Sequence, residues 1–189
     1  RSSDLTNKMK KELELYIHIP FCVRKCAYCD FRSAPAGREV QAQYVDRLLE
    51  EIQKAAPLAE DYEVVSAFFG GGTPSILPKE EIGRVMELLH RQFDWKADAE
   101  VTIEANPGTV DGRKLDAYRS FGINRISFGL QSADNEELQK LGRIHTWEQF
   151  LESYESARAA GFTNINVDLM SALPGQTRKS WQETLQKVL

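Results

Sequence analysis

The sequence is poor in cysteine, with 3 cysteines among 189 residues, and it has no run of apolar residues long enough to cross a membrane. It has no excess of basic residues either: the net charge of -4 argues against a nucleic-acid partner or an anionic-membrane partner. An odd number of closely spaced cysteines is a poor disulfide framework. We therefore expect a cytoplasmic protein with reduced thiols and no integral membrane segment.

The composition is that of a folded domain. With 42% hydrophobic and 28% charged residues, the chain can bury a substantial core, and a single domain is the default expectation. Residues 1–11 are polar and lack the apolar segment of a signal peptide, so we predict a flexible lead or expression remnant, with Met9 a plausible natural start. Residues 12–189 then form the folded part.

All three cysteines, Cys22, Cys26 and Cys29, fall within one eight-residue window. A loop with this spacing can wrap three thiolates around one face of a cubane iron-sulfur cluster, whereas clusters used only for electron transfer usually take four cysteines. One iron would then be open to a substrate. Zinc is the alternative, because His18 could complete a Cys3His ligand set, although structural zinc sites normally use pairs of ligands.

Short apolar runs alternate with helical patterns, which is typical of a parallel sheet. The predicted strands are residues 13–19, 63–69, 99–104, 124–130 and 164–170, and the last predicted helix is 178–189. Two apolar stripes are assigned to the core, Val45, Leu48, Leu49 and Ile52 in the first helix and Trp147, Phe150, Leu151 and Tyr154 in the fourth. The pattern predicts an α/β fold.

Several residues mark where helices begin and end. Thr146 with Gln149 predicts a capping box, and Thr177 predicts a cap for the last helix. Gly122 and Gly161 each follow a helix, as left-handed caps do, and an Asn leads into the next strand in both places. This weak βα repeat favours an α/β barrel over a solenoid.

Residues 16–22 (Tyr-Ile-His-Ile-Pro-Phe-Cys) and 26–31 (Cys-Ala-Tyr-Cys-Asp-Phe) resemble the radical S-adenosylmethionine (SAM) superfamily. Within it the resemblance is to the branch of oxygen-independent coproporphyrinogen III oxidases and HemW-type heme chaperones, and it extends to about Thr177. It implies a 4Fe-4S cluster held by Cys22, Cys26 and Cys29, with SAM chelating the open iron. One electron from the cluster would cleave SAM to methionine and a 5'-deoxyadenosyl radical.

The resemblance also implies the architecture, a partial (β/α)6 radical SAM barrel. Only about five βα units are visible in the pattern. We therefore expect residues 12–189 to be an incomplete N-terminal radical SAM core domain, with a sixth strand and any C-terminal part absent.

Ligands of parallel α/β sheets bind at the carboxyl ends of the strands, which makes residues there the first candidates. Residues 70–75 form a Gly-rich turn after the second strand, and this turn matches neither a phosphate loop nor GxGxxG. The resemblance implies SAM contacts at this turn and at other strand ends, namely Gly71, Gly72, Thr73, Glu104, Gln131, Arg143 and Asp168. The turn and Glu104 would face the polar end of SAM, and Arg143 would face its carboxylate.

Two tyrosines and two histidines are further candidates for site residues. The resemblance places Tyr16 beside the sulfonium and Tyr28 near the adenine, while Gln131 and Asp168 would contact the ribose hydroxyls. His18 and His145 are better read as hydrogen-bonded core histidines than as ligands.

Two departures from the oxidase pattern favour the heme chaperone. Phe31 stands where the oxidases have a fourth cysteine, and only fifteen residues precede Tyr16. We therefore expect a protein that keeps the cluster and SAM and binds heme. The competing hypothesis is a coproporphyrinogen III oxidase that decarboxylates the propionates of its porphyrinogen substrate.

The basic residues are concentrated near the cysteines. Residues 1–40 carry eight Lys and Arg against five Asp and Glu, in an otherwise acidic chain. Arg24, Lys25 and Arg32 flank the cysteine loop, where they form either a solvated face or a docking patch for an acidic electron donor such as flavodoxin or ferredoxin.

Overall fold

Five parallel strands form one sheet whose spatial order follows the chain. The structure is a computed structural model that describes residues 10–189, and its strands are β1 Lys11–Ile19, β2 Tyr62–Gly71, β3 Trp95–Ala105, β4 Arg125–Gln131 and β5 Asn164–Leu169. An order that never reverses is typical of a barrel wall, because a doubly wound sheet turns back on itself. Most of the lead predicted for residues 1–11 lies outside the described residues, and Lys11 already belongs to β1.

Helices lie in the connections between the strands and after the last one. They are α1 Arg38–Ala55, α2 Lys79–Gln92, α3 Gly112–Ser120, α4 Asn135–Lys140, α5 Trp147–Ala159 and α6 Arg178–Val188. Short 3-10 turns cover Ala56–Ala59 and Pro74–Ile76. The predicted α/β alternation is confirmed, while α4 is an addition to it. None of the helices in residues 10–189 has the length and apolar character needed to span a bilayer.

The hydrophobic core lies on one face of the sheet. Along β1, Ile17 and Ile19 are buried, whereas Tyr16 on the opposite face is 61% exposed. In β3, Val101 and Ile103 lie on the core face and are buried, and Thr102 on the opposite face is buried as well. One face of the sheet therefore packs against helices, and the other supplies the side chains of the candidate site.

The predicted helix stripes are largely core, with one correction. Val45 and Phe150 are buried, but Leu151 is 38% exposed. The buried face of α5 is formed by Phe150, Ser153 and Ala157, and Leu151 lies about 100° around the helix from Phe150. The assignment of Leu151 to the core was therefore wrong.

The predicted helix ends are confirmed. The Thr146 hydroxyl accepts from the Gln149 backbone N–H, and the Gln149 side chain accepts in return from the Thr146 N–H. Thr177 caps α6 in the same way. Gly122 and Gly161 have φ values of 92° and 89°, in the left-handed region that glycine adopts without a steric penalty.

Candidate functional site

One cavity at the carboxyl ends of the strands brings together most of the predicted site residues. Its volume is about 140 Å³. Cys22, Cys26 and Cys29 line it. The predicted SAM contacts that line it are Tyr28, Gly71, Gly72, Thr73, Glu104, Gln131, Arg143 and Asp168. Tyr16 is the one predicted SAM contact that does not line the cavity; its ring stacks on Phe68 with a centroid distance of 6.3 Å.

Backbone hydrogen bonds hold the cysteine loop, which connects β1 to α1, in place over this cavity. The Cys22 N–H donates to the Ala34 carbonyl at 3.2 Å, and the Ala27 N–H donates to the Leu141 carbonyl at 3.1 Å. The second bond joins the loop to the end of α4. All three thiols are free and half-buried. The loop therefore presents three unpaired thiols on one side of the cavity.

The zinc alternative requires a group of His, Cys, Asp or Glu side chains that converge on one point. In the part of the chain that the structure describes, no group of three or more His, Cys, Asp or Glu side chains converges as the ligands of a single ion do. His18 instead pairs its Nδ1 with the Tyr16 hydroxyl at 3.2 Å. A cubane cluster binds each cysteine to a different iron, so its ligands are spread more widely. The three cysteines and His18 are therefore not arranged as the ligands of one tetrahedral zinc in the described residues.

The Gly-rich turn packs directly against the segment that enters the cysteine loop. A Cβ atom at Gly72 would lie 2.5 Å from the Phe21 carbonyl oxygen, closer than side chains tolerate. The N–H groups of Gly72 and Thr73 donate to the carbonyls of Ile19 and Phe21 at 2.8 and 2.7 Å. Because Gly72 has no side chain, the turn can lie against the segment that leads into the cysteine loop, and the two hydrogen bonds hold it there.

Glu104 points from the end of β3 into the cavity. Burial raises the pKa of its carboxyl group, and the nearby Asp168 raises it further. The Gly71 N–H donates to Glu104 Oε2 at 3.3 Å and partly opposes this increase. Glu104 is therefore a partly desolvated acid that can face a cationic ligand group.

The ends of β4 and β5 supply an amide and a second acid. Gln131 has a φ of 74°, and the pairing register of β4 with β5 shifts between Gly129 and Gln131. A non-glycine residue in the left-handed region is strained, a feature that concentrates at functional sites. The Asp168 carboxylate accepts from Asn166 Nδ2 at 2.7 Å, which orients the acid.

The Arg143 guanidinium is one of three cationic side chains that line the cavity, with Arg24 and Lys25. Its Nη1 donates to Cys26 Sγ at 3.4 Å, and its Nη2 donates to Asn106 Oδ1 at 2.7 Å and to the Gly129 carbonyl. Its Nε is buried without a hydrogen-bond partner. The guanidinium is therefore held at a fixed position, with three of its five N–H groups hydrogen-bonded.

Two aromatic residues near Arg143 have altered ionisation. Burial raises the pKa of Tyr28 to about 12, so its phenol stays protonated. Burial and the charge of Arg143 lower the pKa of His145 to about 4, and its Nε2 pairs with the Leu130 carbonyl at 3.2 Å. His145 is a neutral, hydrogen-bonded core histidine, as predicted.

Asn106 lines the cavity but was missed by the sequence reasoning. It directly follows the end of β3 and contacts both Arg143 and Thr73 through its side chain. Its position at a strand end was the available signal.

A family model described as the radical SAM superfamily matches residues 16–188. The chain belongs to the radical SAM superfamily. This radical SAM domain is 39% identical over 182 residues to the heme chaperone HemW of Haemophilus influenzae, which covers 94% of this chain and 48% of that protein. It is 40% identical over 181 residues to the oxygen-independent coproporphyrinogen III oxidase of Salmonella typhimurium, which covers 95% and 39%.

A solved structure shares the fold of this radical SAM domain. The coproporphyrinogen III oxidase HemN of Escherichia coli superposes with a TM-score of 0.89 at 37% identity, over 97% of this chain and 42% of that one. The predicted radical SAM barrel is confirmed. The chain spans less than half the length of these relatives.

Membership in the superfamily implies a 4Fe-4S cluster and SAM, and the residues present fit both. Three free thiols on one side of a cavity are suitable cluster ligands. Arg143 provides a cation for a carboxylate, while Glu104 and Asp168 provide acids for an ammonium group and hydroxyls. The donor set of the cavity therefore matches the chemistry of an amino-acid nucleoside next to a cluster.

Proposed function

We propose that this radical SAM domain is part of a HemW-like heme chaperone that binds a 4Fe-4S cluster, SAM and heme. The observation that carries the proposal is the single cavity in which three free cysteines meet Arg143, Glu104 and Asp168. Several HemW proteins at 36 to 42% identity support the heme-chaperone assignment.

Cys22, Cys26 and Cys29 would hold the cluster, which when bound supplies a low-potential electron to a SAM molecule on its open iron. The residues of the cavity wall bind and orient the nucleoside. Arg143 would pair with its carboxylate, and Glu104 with its ammonium group beside the turn at Gly71. The strained Gln131 and the oriented Asp168 would contact the ribose hydroxyls.

The adenine is proposed to lie along Tyr28. This side chain lines both the main cavity and a neighbouring cavity of about 370 Å³. Most of the residues that line the second cavity are apolar, among them Leu141, Met170 and Leu173, and Glu137 and Lys140 line it as well. A flat, weakly polar ring fits such walls better than it fits the charged main cavity.

Coproporphyrinogen III oxidase activity is the second candidate, and the likeness to HemN favours it. Phe31 argues against it. This side chain takes the place of the fourth cysteine of the oxidases, and it is 70% exposed at the wall of the main cavity. Position 31 therefore offers no thiol for the oxidase reaction.

A test of the cofactor proposal uses the cysteines. Each of Cys22→Ala, Cys26→Ala and Cys29→Ala is expected to lose the cluster after anaerobic reconstitution, measured as iron per chain and as visible absorbance. Arg143→Ala is expected to keep the iron and to weaken SAM binding about tenfold or more, because a charged pair is lost. A colourless wild-type protein with one zinc and no iron would overturn the proposal.

A test of the function compares two tetrapyrroles. The full-length protein with a reconstituted cluster is given heme in one anaerobic sample and reduced coproporphyrinogen with SAM in another. Stable heme binding with intact porphyrinogen is expected. Decarboxylation of the propionates would assign the oxidase function instead.

A further inference from the structure

Three side chains in the cavity wall form a chain of hydrogen bonds that ends on a cysteine sulfur. Arg143 Nη2 donates to Asn106 Oδ1 at 2.7 Å, and Asn106 Nδ2 donates to Thr73 Oγ1 at 2.9 Å. The Thr73 hydroxyl in turn donates to Cys22 Sγ at 3.5 Å. A branch from Arg143 Nη1 reaches Cys26 Sγ at 3.4 Å. One connected group of side chains therefore supplies donors to two of the three sulfurs.

The direction of every bond in this chain is fixed by Arg143. A guanidinium has donors but no acceptor, so the Asn106 amide must turn its oxygen toward Arg143. Its NH2 group then faces Thr73 and donates to the hydroxyl oxygen. The single hydroxyl proton of Thr73 is left for Cys22. The bonds of Thr73 and Arg143 to the cysteines therefore both point a hydrogen atom with partial positive charge at a sulfur atom.

The residues around this hydrogen-bond chain restrict its side chains and shield them partly from solvent. Thr73 is 3% exposed, and its N–H is bonded to the Phe21 carbonyl. A Cβ atom at Gly129 would lie 3.0 Å from Asn106 Oδ1 and 3.3 Å from Arg143 Nη2, so glycine leaves the space that both side chains occupy. Hydrogen bonds in such an environment polarise one another and are stronger than in water.

We propose that Asn106 is a positioning residue that holds Thr73 and Arg143 as hydrogen-bond donors to Cys22 and Cys26 and thereby raises the reduction potential of the bound cluster. Reduction adds negative charge to the cluster and its sulfurs, and donors aimed at sulfur stabilise the reduced form more than the oxidised form. The inference deepens the proposed function and rests on it, since it needs a cluster on these cysteines.

The test is the midpoint potential of the reconstituted cluster in the full-length protein, measured anaerobically without SAM by spectroelectrochemistry. Thr73→Val removes the donor to Cys22 at nearly constant shape, and Asn106→Leu removes the central link. Both are expected to shift the potential to lower values. The double variant should shift it by less than the sum of the two, because both changes break the same chain.

Two matched variants separate positioning from simple packing. Thr73→Ser keeps the hydroxyl and is expected to retain the wild-type potential. Thr184→Val makes the same change as Thr73→Val on a threonine that is also buried, but whose hydroxyl bonds the Ser132 hydroxyl and the Ala133 N–H and no sulfur. It too should retain the wild-type potential.

The outcomes distinguish this inference from the proposed function. A wild-type protein that binds no iron would overturn the proposed function. Wild-type iron content with unchanged potentials in both Thr73→Val and Asn106→Leu would overturn the positioning role alone. If Thr73→Val does not assemble a cluster, Asn106→Leu decides the question, because residue 106 lies two bonds of the chain away from Cys22.

Discussion

Glu104 shows how one half-buried acid can make ligand binding depend on pH. Burial and Asp168 raise its pKa, so on acidification it takes up a proton at a higher pH than an ordinary glutamate. Only the ionised form attracts an ammonium group. SAM is therefore expected to bind most tightly at pH values above the raised pKa of Glu104. Its affinity is expected to fall as the pH drops through that pKa.

The substitution Glu104→Gln tests this expectation at nearly constant shape. It should weaken SAM binding about tenfold at neutral pH and flatten the pH dependence, because an amide carries no charge. Equilibrium binding to the reconstituted protein across a pH series provides the measurement. Glu100→Gln, on the same strand but outside the cavity lining, is the control and should behave as wild type. Unchanged affinity in Glu104→Gln would remove Glu104 from the ammonium site.

The sequence predicted the cavity residues that have a local signature. The three cysteines lie within eight residues of one another in the sequence. Glu104, Gln131 and Asp168 lie at or near the carboxyl ends of parallel strands, so their convergence follows from the sheet. Asn106 also follows a strand end, but its hydrogen-bond partners have no local signature. Its partners Arg143 and Thr73 lie 37 and 33 residues away, and the hydrogen bonds depend on how the β3 end and the loop after α4 meet in space.

At the scale of elements, the sequence was most informative where a helix begins with a capping residue. Thr146 and Gln149 predicted the start of α5 correctly. The six-residue α4 was missed because Leu138 is its only buried apolar residue, which is too few to form a stripe. The start of β3 was placed four residues late, since Trp95 begins a stretch whose polar, exposed residues do not read as a buried strand.

The capping box of α5 gives a prediction about stability. Thr146→Ala removes the acceptor for the Gln149 N–H and should lower the free energy of unfolding by about 1 kcal/mol. Thr146→Ser retains the hydroxyl and should stay close to wild type. Urea unfolding followed by circular dichroism measures both. Equal stability of Thr146→Ala and wild type would show that the cap does not limit the stability of the domain.

At the scale of the whole molecule, charge is distributed unevenly over the domain. Arg24, Lys25 and Arg32 are exposed around the cysteine loop, together with the exposed apolar side chains of Val23 and Phe31. The remaining chain is acidic, with 16 Lys and Arg against 23 Asp and Glu beyond residue 40. We propose that this basic patch receives an acidic electron donor of the flavodoxin or ferredoxin type, since complementary charge steers association.

Reversing the charge of the patch tests this proposal. The double variant Arg24→Glu and Arg32→Glu is expected to slow cluster reduction by reduced flavodoxin about tenfold at low salt, and the difference from wild type should shrink as salt screens it. Reduction by dithionite, a small reductant, should be unaffected. Arg91→Glu is the control, because Arg91 is exposed near the end of α2, at the opposite end of the parallel strands from the cysteines. Equal flavodoxin rates in the double variant and Arg91→Glu would mean that electrons enter the domain elsewhere.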